Sequence, residues 1–331
     1  MTTRTLHLVR SLLVRIGIGL LITLLLFAFG YGYLFGPVDS SAPLSEVTVT
    51  PDTSLQEVAS LLKQEGYVRD EVIFQIAFMR ASQGRGLRPG VYELSKSQDV
   101  WTIGESLAKP PKLAYITVRA GMRKEEIAEL LSRELAWTKE ESTAWLTVYT
   151  QPSKEYTEGV FYPDTYLLPP DITPQETAER FRTRFQEVLA PLAGEAAVVD
   201  MHWVDVVNLA SLVEREAARN DKALVAGILL NRLSMGMPLQ VDATLQYVRG
   251  SEGNWWPVPR SEDKVLDSPF NTYIYKGLPP HPISNPSVDS IKAVINHEKT
   301  DCVYYLHDTE GQIHCAKTYS EHRANIERYL K

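Results

Sequence analysis

The sequence predicts an α+β protein with an N-terminal transmembrane helix, a small α+β module at residues 45–113 and a larger mixed α+β domain at residues 114–331. Three observations predict this class. An uncharged apolar span lies near the N-terminus, a strand–turn–helix pattern occurs twice, and the second half alternates amphipathic helices with short strands. The length of 331 residues is sufficient for two or three domains.

The apolar span runs from Ile16 to Phe35 without a charge, which is about the length that crosses a bilayer as a helix. The flanking charges are Arg4, Arg10 and Arg15 before the span and Asp39 and Glu46 after it. The positive-inside rule then predicts a cytoplasmic tail at residues 1–15, a single-pass anchor at 16–36 in the cell (inner) membrane, and an extracytoplasmic or periplasmic remainder. A cleaved signal peptide is the alternative, but the span is long for one and a cleavage site is not obvious.

A polar linker rich in Pro and Ser follows at residues 37–44. The small module then opens with Val47–Leu62, which matches Ile116–Leu131 at a constant offset of 69 residues. Each copy reads as an alternating strand, a turn and an amphipathic helix, and Ser54 with Glu57 predicts a capping box on the first helix. Two copies are too few for a solenoid, so we interpret them as related β-α units in adjacent modules.

Between the two copies, Gly90–Leu94 is predicted to be a strand and Asp99–Leu107 a short helix. Residues 45–113 therefore resemble a lysin motif (LysM), a small α+β module that binds glycans. Two roles stay open for this module: it binds glycan, or it only spaces the rest of the chain from the membrane.

In the larger domain, Thr173, Pro174 and Glu176 supply an N-cap, an N1 proline and an N3 acid, which predicts a helix from residue 174 to about Leu189. The other predicted helices lie at about Val204–Arg219, at Lys222–Met235 and, after Thr318 and Glu321, at the C-terminus. Strands are predicted near residues 116–119, 302–307 and 312–317.

The most informative helix carries two acids, Glu214 and Glu216, two residues apart. At about 100° per residue, their carboxylates point to nearly opposite sides of the helix. Glu216 projects from the middle of an apolar stripe, which is formed by Leu209, Leu212 and Val213. Because apolar surroundings disfavour the charged form, the pKa of Glu216 is expected to rise, and Glu216 is the candidate general acid, with Glu214 as a secondary acid. The alternative is a structural Glu216 that reaches a buried Arg or a backbone amide.

Several predicted loops combine polar and aromatic side chains, as a site for a sugar polymer requires. If residues 240–247 are extended, Gln240, Asp242 and Thr244 face one side. The candidate substrate-binding residues are Glu158, Gln240, Asp242, Thr244, Tyr247, Asn271, Tyr273 and Asn285. For each of them the alternative is a role in satisfying the backbone of a turn. Whether Trp255 and Trp256 line a groove or close a loop is left open.

Composition excludes some classes of function. The net charge of −7 and the pI of about 5.6 argue against nucleic acid as a partner. The seven histidines are scattered without metal-ligand spacing, so no metal and no cofactor are expected. Cys302 and Cys315 flank a predicted hairpin with a four-residue loop, which places Cys302 opposite Lys317. A disulfide is therefore allowed in an oxidising compartment but is not required by the register.

Together, the motifs resemble those of the membrane-anchored endolytic murein transglycosylases, the MltG/YceG-like family. The motifs that carry the resemblance lie at residues 158–166, 210–216, 225–233, 236–242, 271–273, 277–280, 285–286 and 321–322. One departure lies near the C-terminus, where His314 is followed by Cys315 and Ala316 instead of the family's usual aromatic and small hydroxyl residues.

The resemblance implies that Glu216, the second acid of the Glu-x-Glu pair, is catalytic. It also implies non-hydrolytic cleavage of MurNAc–GlcNAc bonds within peptidoglycan strands, with formation of 1,6-anhydro-MurNAc and control of strand length beside the synthases (penicillin-binding proteins). Two alternatives remain from the sequence: a non-catalytic peptidoglycan-binding scaffold, and a hydrolase that uses Glu214 or Asp242 as a second carboxylate.

Overall fold

The computed structural model describes residues 3–150, 158–192, 201–218 and 220–330, with side chains from residue 13 onward. The chain divides into two compact units. The first comprises residues 1–115 and 167–170, and the second comprises residues 116–166 and 171–331. Both contain helices and strands, which confirms the predicted α+β class.

The first unit begins with a long apolar helix, α1 (Thr3–Phe35). Its stretch Leu13–Phe35 covers 23 residues with a mean hydropathy of 2.3 and is exposed along its length. By length and composition this stretch can cross a membrane, as predicted for Ile16–Phe35. The helix also includes residues 3–15, where the sequence predicted a separate tail.

The rest of the first unit is a small α+β fold. Its elements are β1 (Leu44–Val49), α2 (Leu55–Gln64), α3 (Glu71–Ser82), β2 (Gly90–Ser95) and α4 (Val100–Ala108). β1 and β2 are antiparallel, with Val47 opposite Tyr92. The predicted capping box of Ser54 and Glu57 on α2 is confirmed. Gly104 of α4 permits close contact with α3, because a Cβ there would lie 2.9 Å from the Ala77 carbonyl carbon.

The second copy of the repeat consists of β3 (Leu113–Thr117) and α5 (Lys124–Leu135), so both copies fold as a strand, a turn and a helix, as predicted. β3 pairs antiparallel with β2, with Gly90 opposite Ala114, and the next strand along the chain is β4 (Thr165–Leu168). Within the second unit, the Val118 amide after β3 donates to the Asp164 carbonyl before β4 at 2.9 Å.

The regular structure of the second unit consists mainly of helices. Its further elements are α6 (Lys139–Ala144), α7 (Pro174–Leu189), α8 (Trp203–Glu216), α9 (Lys222–Ser234), α10 (Asp242–Arg249), α11 (Val288–Ile295), β5 (Tyr304–His307), β6 (Ile313–Ala316) and α12 (Tyr319–Tyr329). The predicted cap of α7 by Thr173 is present. α8 ends at Glu216, earlier than predicted, and Arg219 lies outside the described residues.

The core of this unit is built around α8, which packs against α9, α10 and α11. Leu209, Leu212 and Val213 are fully buried, as the apolar stripe predicted. Burial of each such side chain contributes about 1.5–3 kcal/mol. The helix that carries Glu216 is therefore held rigidly from three sides, which fixes the position of its last residue.

The C-terminal hairpin has the predicted strands, but the predicted register is wrong by one residue. Tyr305 lies opposite Cys315, and the connection between the strands has five residues. The additional residue is accommodated because the Asp308 carboxylate accepts from the Glu310 and Gln312 amides, both at 2.9 Å. Cys302 and Cys315 form a disulfide with a Cα–Cα distance of 5.8 Å, the pairing that the sequence left open.

The prediction that residues 240–247 are non-helical is wrong, because Asp242 begins helix α10, so the arrangement on one side of an extended segment does not apply. The alternation of Val241, Ala243 and Leu245 imitated a strand. The helix has only eight residues, about two turns, which is too short for its helical period to stand out against this alternation.

Candidate active site

Glu216 is the last residue of α8, and its carboxyl group is surrounded by protein although the residue as a whole keeps partial solvent exposure. Its Oε1 accepts a hydrogen bond from the Ala243 amide at 3.1 Å, and its Oε2 accepts from the Tyr305 hydroxyl at 3.0 Å. A carboxyl that is enclosed and still reachable from solvent is suited to proton exchange with a ligand.

Burial raises the pKa of the Glu216 carboxyl above its ordinary value. The hydrogen bonds from Ala243 and Tyr305 oppose this shift, the nearby Asp242 carboxylate raises the pKa further, and His307 lowers it. The net direction agrees with the sequence prediction. The environment favours the neutral acid at rest, while two donors are in position to stabilise the carboxylate after proton release.

The N-terminus of α10 points at this carboxyl. Val241 occupies the N-cap position and offers no side-chain acceptor, so Glu216 accepts from the Ala243 amide in its place. The partial positive charge at a helix N-terminus also favours an anion there. Glu216 is thus both a titratable group and the acceptor that caps α10.

Glu214 has the opposite environment. Its Oε2 accepts from the Ser287 amide at 3.0 Å and from the hydroxyls of Ser287 and Ser290, each at 2.6 Å. Lys222 lies 3.2 Å away. Burial raises the pKa of Glu214, but these hydrogen bonds and Lys222 outweigh it and hold the pKa below its ordinary value. Glu214 is therefore an ionised structural carboxylate that joins α8 to α11.

Two residues of the site, Tyr305 and His307, are not among the predicted ones, and β5 places them beside Glu216. The His307 Nε2 lies 2.7 Å from Asp221 Oδ2, so a buried carboxylate orients the imidazole. A signal was present in the sequence, because Tyr305 and His307 are two residues apart in a predicted strand and therefore share one face.

Three of the predicted substrate-binding residues are not buried, and two of them, Asp242 and Tyr273, interact electrostatically with Glu216. Gln240 and Asp242 are exposed and Tyr273 is half-buried. The Tyr273 hydroxyl donates to Asp242 Oδ1 at 2.6 Å. Gln240 has a left-handed backbone with φ of 55°, and such strain in a residue other than glycine is frequent at ligand sites. Asp242 and Tyr273 are therefore positioned to contact a ligand of Glu216.

The other five predicted residues are buried and use their polar groups within the protein. Glu158 accepts from the Lys124 amide at 2.7 Å, and its Oε2 lies 2.7 Å from the Tyr247 hydroxyl. Asn271 donates to the Leu266 carbonyl at 2.8 Å, and Asn285 accepts from the Gly159 and Phe161 amides. Thr244 donates to the Val241 carbonyl at 2.7 Å. These contacts support the loops around the site, and ligand contact by these residues stays a prediction.

The two tryptophans whose role was open contact α5. Trp255 Nε1 donates to Glu129 and Trp256 Nε1 donates to Glu126, each at 2.8 Å. The Arg215 guanidinium lies 3.7 Å from the centre of the Trp256 ring. Both tryptophans therefore fix their loop to α5, and Trp255 also lines a surface depression of about 280 Å³.

Burial makes Glu158 a pH-sensitive element of stability, because it raises the pKa of this carboxyl from 4.5 to about 8. The unfolded chain then releases its proton at a lower pH than the folded chain does. Stability is expected to fall as the pH rises from about 4.5 to about 8, and Glu158→Gln should flatten this dependence. Urea unfolding of the detergent-solubilised chain across this range measures it, with exposed Glu252→Gln as the control. Equal slopes for Glu158→Gln and the wild-type chain would contradict the assignment.

The geometry defines the class of the site: a single enclosed carboxyl, whose pKa burial raises and which has two hydrogen-bond donors, is suited to acid–base chemistry by one group. The family model that matches residues 47–328 is that of the YceG-like family, and the chain belongs to this family.

Curated relatives share 27% identity with the chain. One is named endolytic murein transglycosylase and comes from Streptococcus pneumoniae; the match covers 89% of this chain and 60% of that protein. Another of the same name, from Bacillus subtilis, matches over 90% of this chain and 88% of the relative. The chain thus spans less than two thirds of the pneumococcal protein. The crystal structure of a yceG-like protein from Listeria monocytogenes, 24% identical, aligns with a TM-score of 0.66 over 85% of this chain and 98% of that one, which shows the shared fold.

Proposed function

We propose that this protein is a membrane-anchored lytic transglycosylase that cleaves MurNAc–GlcNAc bonds within peptidoglycan strands. The observation that carries the proposal is the enclosed Glu216 carboxyl, with its raised pKa and two hydrogen-bond donors. Membership of the YceG-like family supports it, as do relatives named endolytic murein transglycosylase.

In the first step, neutral Glu216 donates its proton to the glycosidic oxygen. The bond from this oxygen to C1 of MurNAc breaks, GlcNAc leaves with a new hydroxyl, and positive charge develops at C1. The carboxylate formed at Glu216 is stabilised by the Ala243 amide and the Tyr305 hydroxyl.

In the second step, the Glu216 carboxylate accepts the proton of the C6 hydroxyl of the same MurNAc. The C6 oxygen bonds to C1 and closes the 1,6-anhydro ring, and Glu216 is neutral again without consuming water. A single group of raised pKa is sufficient because it acts first as the acid and then as the base. Gln240, Asp242 and Tyr273 are the side chains assigned to sugar contacts.

The helix α1 is assigned as the membrane anchor, with the N-terminus in the cytoplasm and the Glu216 site outside it, because basic residues precede the span and acidic residues follow it. This location keeps the site near newly made strands and near their synthases, where cleavage limits strand length. The LysM-like module of the first unit is assigned either to binding the strand or to spacing the site from the membrane.

The test is mass spectrometry of the products that the full chain in detergent releases from intact glycan strands. Transglycosylation gives strands that end in 1,6-anhydro-MurNAc. A hydrolase that used Glu214 or Asp242 would give reducing MurNAc ends one water heavier, and a scaffold would give no new ends. Either of the last two results overturns the proposal.

Tyr305→Phe is expected to shift the pH dependence of activity. The resting acid must be protonated, so activity falls as the pH rises through the pKa of Glu216. Loss of the Tyr305 hydroxyl removes a donor that favours the carboxylate, so the alkaline limit moves to higher pH. Because a hydrogen bond to a charged group contributes about 1.5–3 kcal/mol, the maximum rate should fall by about tenfold or more.

Tyr304→Phe is the matched control, since Tyr304 lies on the same strand and stacks on His322. It should leave both the rate and the pH profile near those of the wild-type chain. If Tyr305→Phe had the same profile as this control, Tyr305 would have no part in tuning Glu216.

A further inference from the structure

The outer face of α3 carries an exposed row of apolar side chains. Val72, Ile76 and Met79 follow the i, i+4, i+7 spacing of one helix face and are 62%, 49% and 55% exposed. The opposite face buries Phe74 and Phe78 in the core of the first unit. A helix that is apolar on both faces needs a second apolar environment. We call the outer row the α3 stripe.

The end of the apolar helix α1 is fixed to the same unit. The Trp101 ring of α4 stacks on Phe35 with centroids 5.6 Å apart, and Trp101 Nε1 donates to the Tyr31 hydroxyl at 3.3 Å. The Arg69 guanidinium donates at 2.7–2.8 Å to three carbonyl oxygens at the end of α1, those of Tyr33, Gly36 and Pro37. The membrane position of α1 therefore sets that of the α3–α4 pair.

Aromatic residues show the depth of this region. Tyr and Trp side chains gather where a bilayer meets water, and exposed Tyr31 and Tyr33 lie near the end of the apolar span. Trp101 touches Tyr31 and so shares its depth. The Arg80 guanidinium lies 5.4 Å from the centre of the Trp101 ring, and Arg80 directly follows Met79 of the α3 stripe. The Met79 end of the stripe is therefore close to the depth of Tyr31.

A depression of about 500 Å³ lies between α3 and α4 next to the stripe. Its charged lining groups are Arg80, Arg85, Lys109 and Glu105, three cations and one acid. The excess of positive charge in the depression suits the phosphate of an anionic lipid, and the adjacent apolar stripe suits the acyl chains of the same lipid.

We propose that α3 lies on the bilayer, with the α3 stripe in the interface and the headgroup of an anionic phospholipid in the depression. This rests on the proposed anchoring by α1 and not on the chemistry at Glu216. The first unit is then held to the membrane at two places, the span and the stripe, and its orientation on the membrane is fixed.

The test uses the full chain reconstituted in vesicles of phosphatidylcholine, with and without phosphatidylglycerol. An environment-sensitive fluorophore is attached to Met79→Cys, since both native cysteines are disulfide-bonded. We expect blue-shifted emission and quenching by lipids that carry a spin label on the upper acyl chain, both stronger with phosphatidylglycerol. The same fluorophore on Leu24→Cys in α1 reports insertion of the anchor separately.

Quenching at position 24 with a water-like signal at position 79 overturns the proposal and leaves the anchor intact. A water-like signal at both positions removes the anchor as well. Protection of position 79 from aqueous iodide without quenching by lipid shows a protein partner or a second copy on the stripe, which also overturns the proposal.

Charge variants test the headgroup site. Arg80→Gln with Lys109→Gln should abolish the gain in quenching at position 79 that phosphatidylglycerol gives. Lys96→Gln is the matched control, because Lys96 belongs to the same unit and lies over the Tyr67 ring, outside the depression. If phosphatidylglycerol increased the quenching at position 79 equally in the double variant and in the control, the depression would not bind the lipid headgroup.

Discussion

Glu216→Gln is expected to lower the rate of glycan cleavage by about 10²–10⁴-fold, the contribution that a positioned acid–base group makes. The amide retains an oxygen that can accept from the Ala243 amide, so the fold around α10 should persist. However, it has no proton of suitable acidity to give to the glycosidic oxygen. The measurement is the release of anhydro-muropeptides from purified sacculi.

Asp205→Asn provides the control, because Asp205 lies in the first turn of the same helix, at the end opposite to Glu216. It removes one carboxylate from α8 and should retain full activity. Activity of Glu216→Gln at the level of this control would exclude Glu216 as the acid, and the scaffold alternative would regain support.

Glu214→Ala is expected to destabilise the second unit by about 3–5 kcal/mol, because it leaves half-buried Lys222 without its carboxylate and removes the acceptor of the Ser287 amide. For a unit of this size the loss corresponds to a melting temperature lower by roughly 10 °C. Thermal unfolding of the full chain in detergent, followed by circular dichroism, measures the change.

Glu262→Ala is the matched control, since Glu262 also pairs with a cation at 3.2 Å, but the partners Arg260 and Glu262 are 65% and 73% exposed. A surface pair of this kind contributes about 0–1 kcal/mol, so the control should unfold almost as the wild-type chain does. If Glu214→Ala lost all cleavage activity while keeping wild-type stability, Glu214 would be a second catalytic carboxylate and the hydrolase alternative would stand.

The sequence predicted local structure where the signals are short in range. Caps at Ser54, Thr173 and Thr318 marked the starts of helices that the structure contains. The placement of Glu216 in an apolar stripe likewise followed from the period of one helix, and the direction of its pKa followed from its surroundings. These features need no knowledge of which segments meet in space.

The rest of the site depends on contacts between distant segments. Tyr305 lies 89 residues from Glu216 in the sequence, and no local pattern reports that the hairpin packs against the end of α8. The hairpin register was predicted incorrectly because the loop is one residue longer than expected. The Asp308 carboxylate stabilises this longer loop by accepting a hydrogen bond from the Gln312 amide. Helix α10 was missed because, at eight residues, it is too short for its helical period to outweigh the strand-like alternation of Val241, Ala243 and Leu245.

Because Glu216 accepts a hydrogen bond from the Ala243 amide, the candidate acid also holds the first turn of α10 in place. Truncation of the side chain at position 216 would leave that amide without its acceptor and loosen the turn that carries Asp242. The hydrogen bond that Asp242 accepts from the Tyr273 hydroxyl would then be weakened as well. The rate of an alanine variant would then fall for two reasons that kinetics cannot separate: the missing acidic proton and the displaced Asp242 and Tyr273. An isosteric replacement such as Glu216→Gln removes the proton and leaves these two side chains in place.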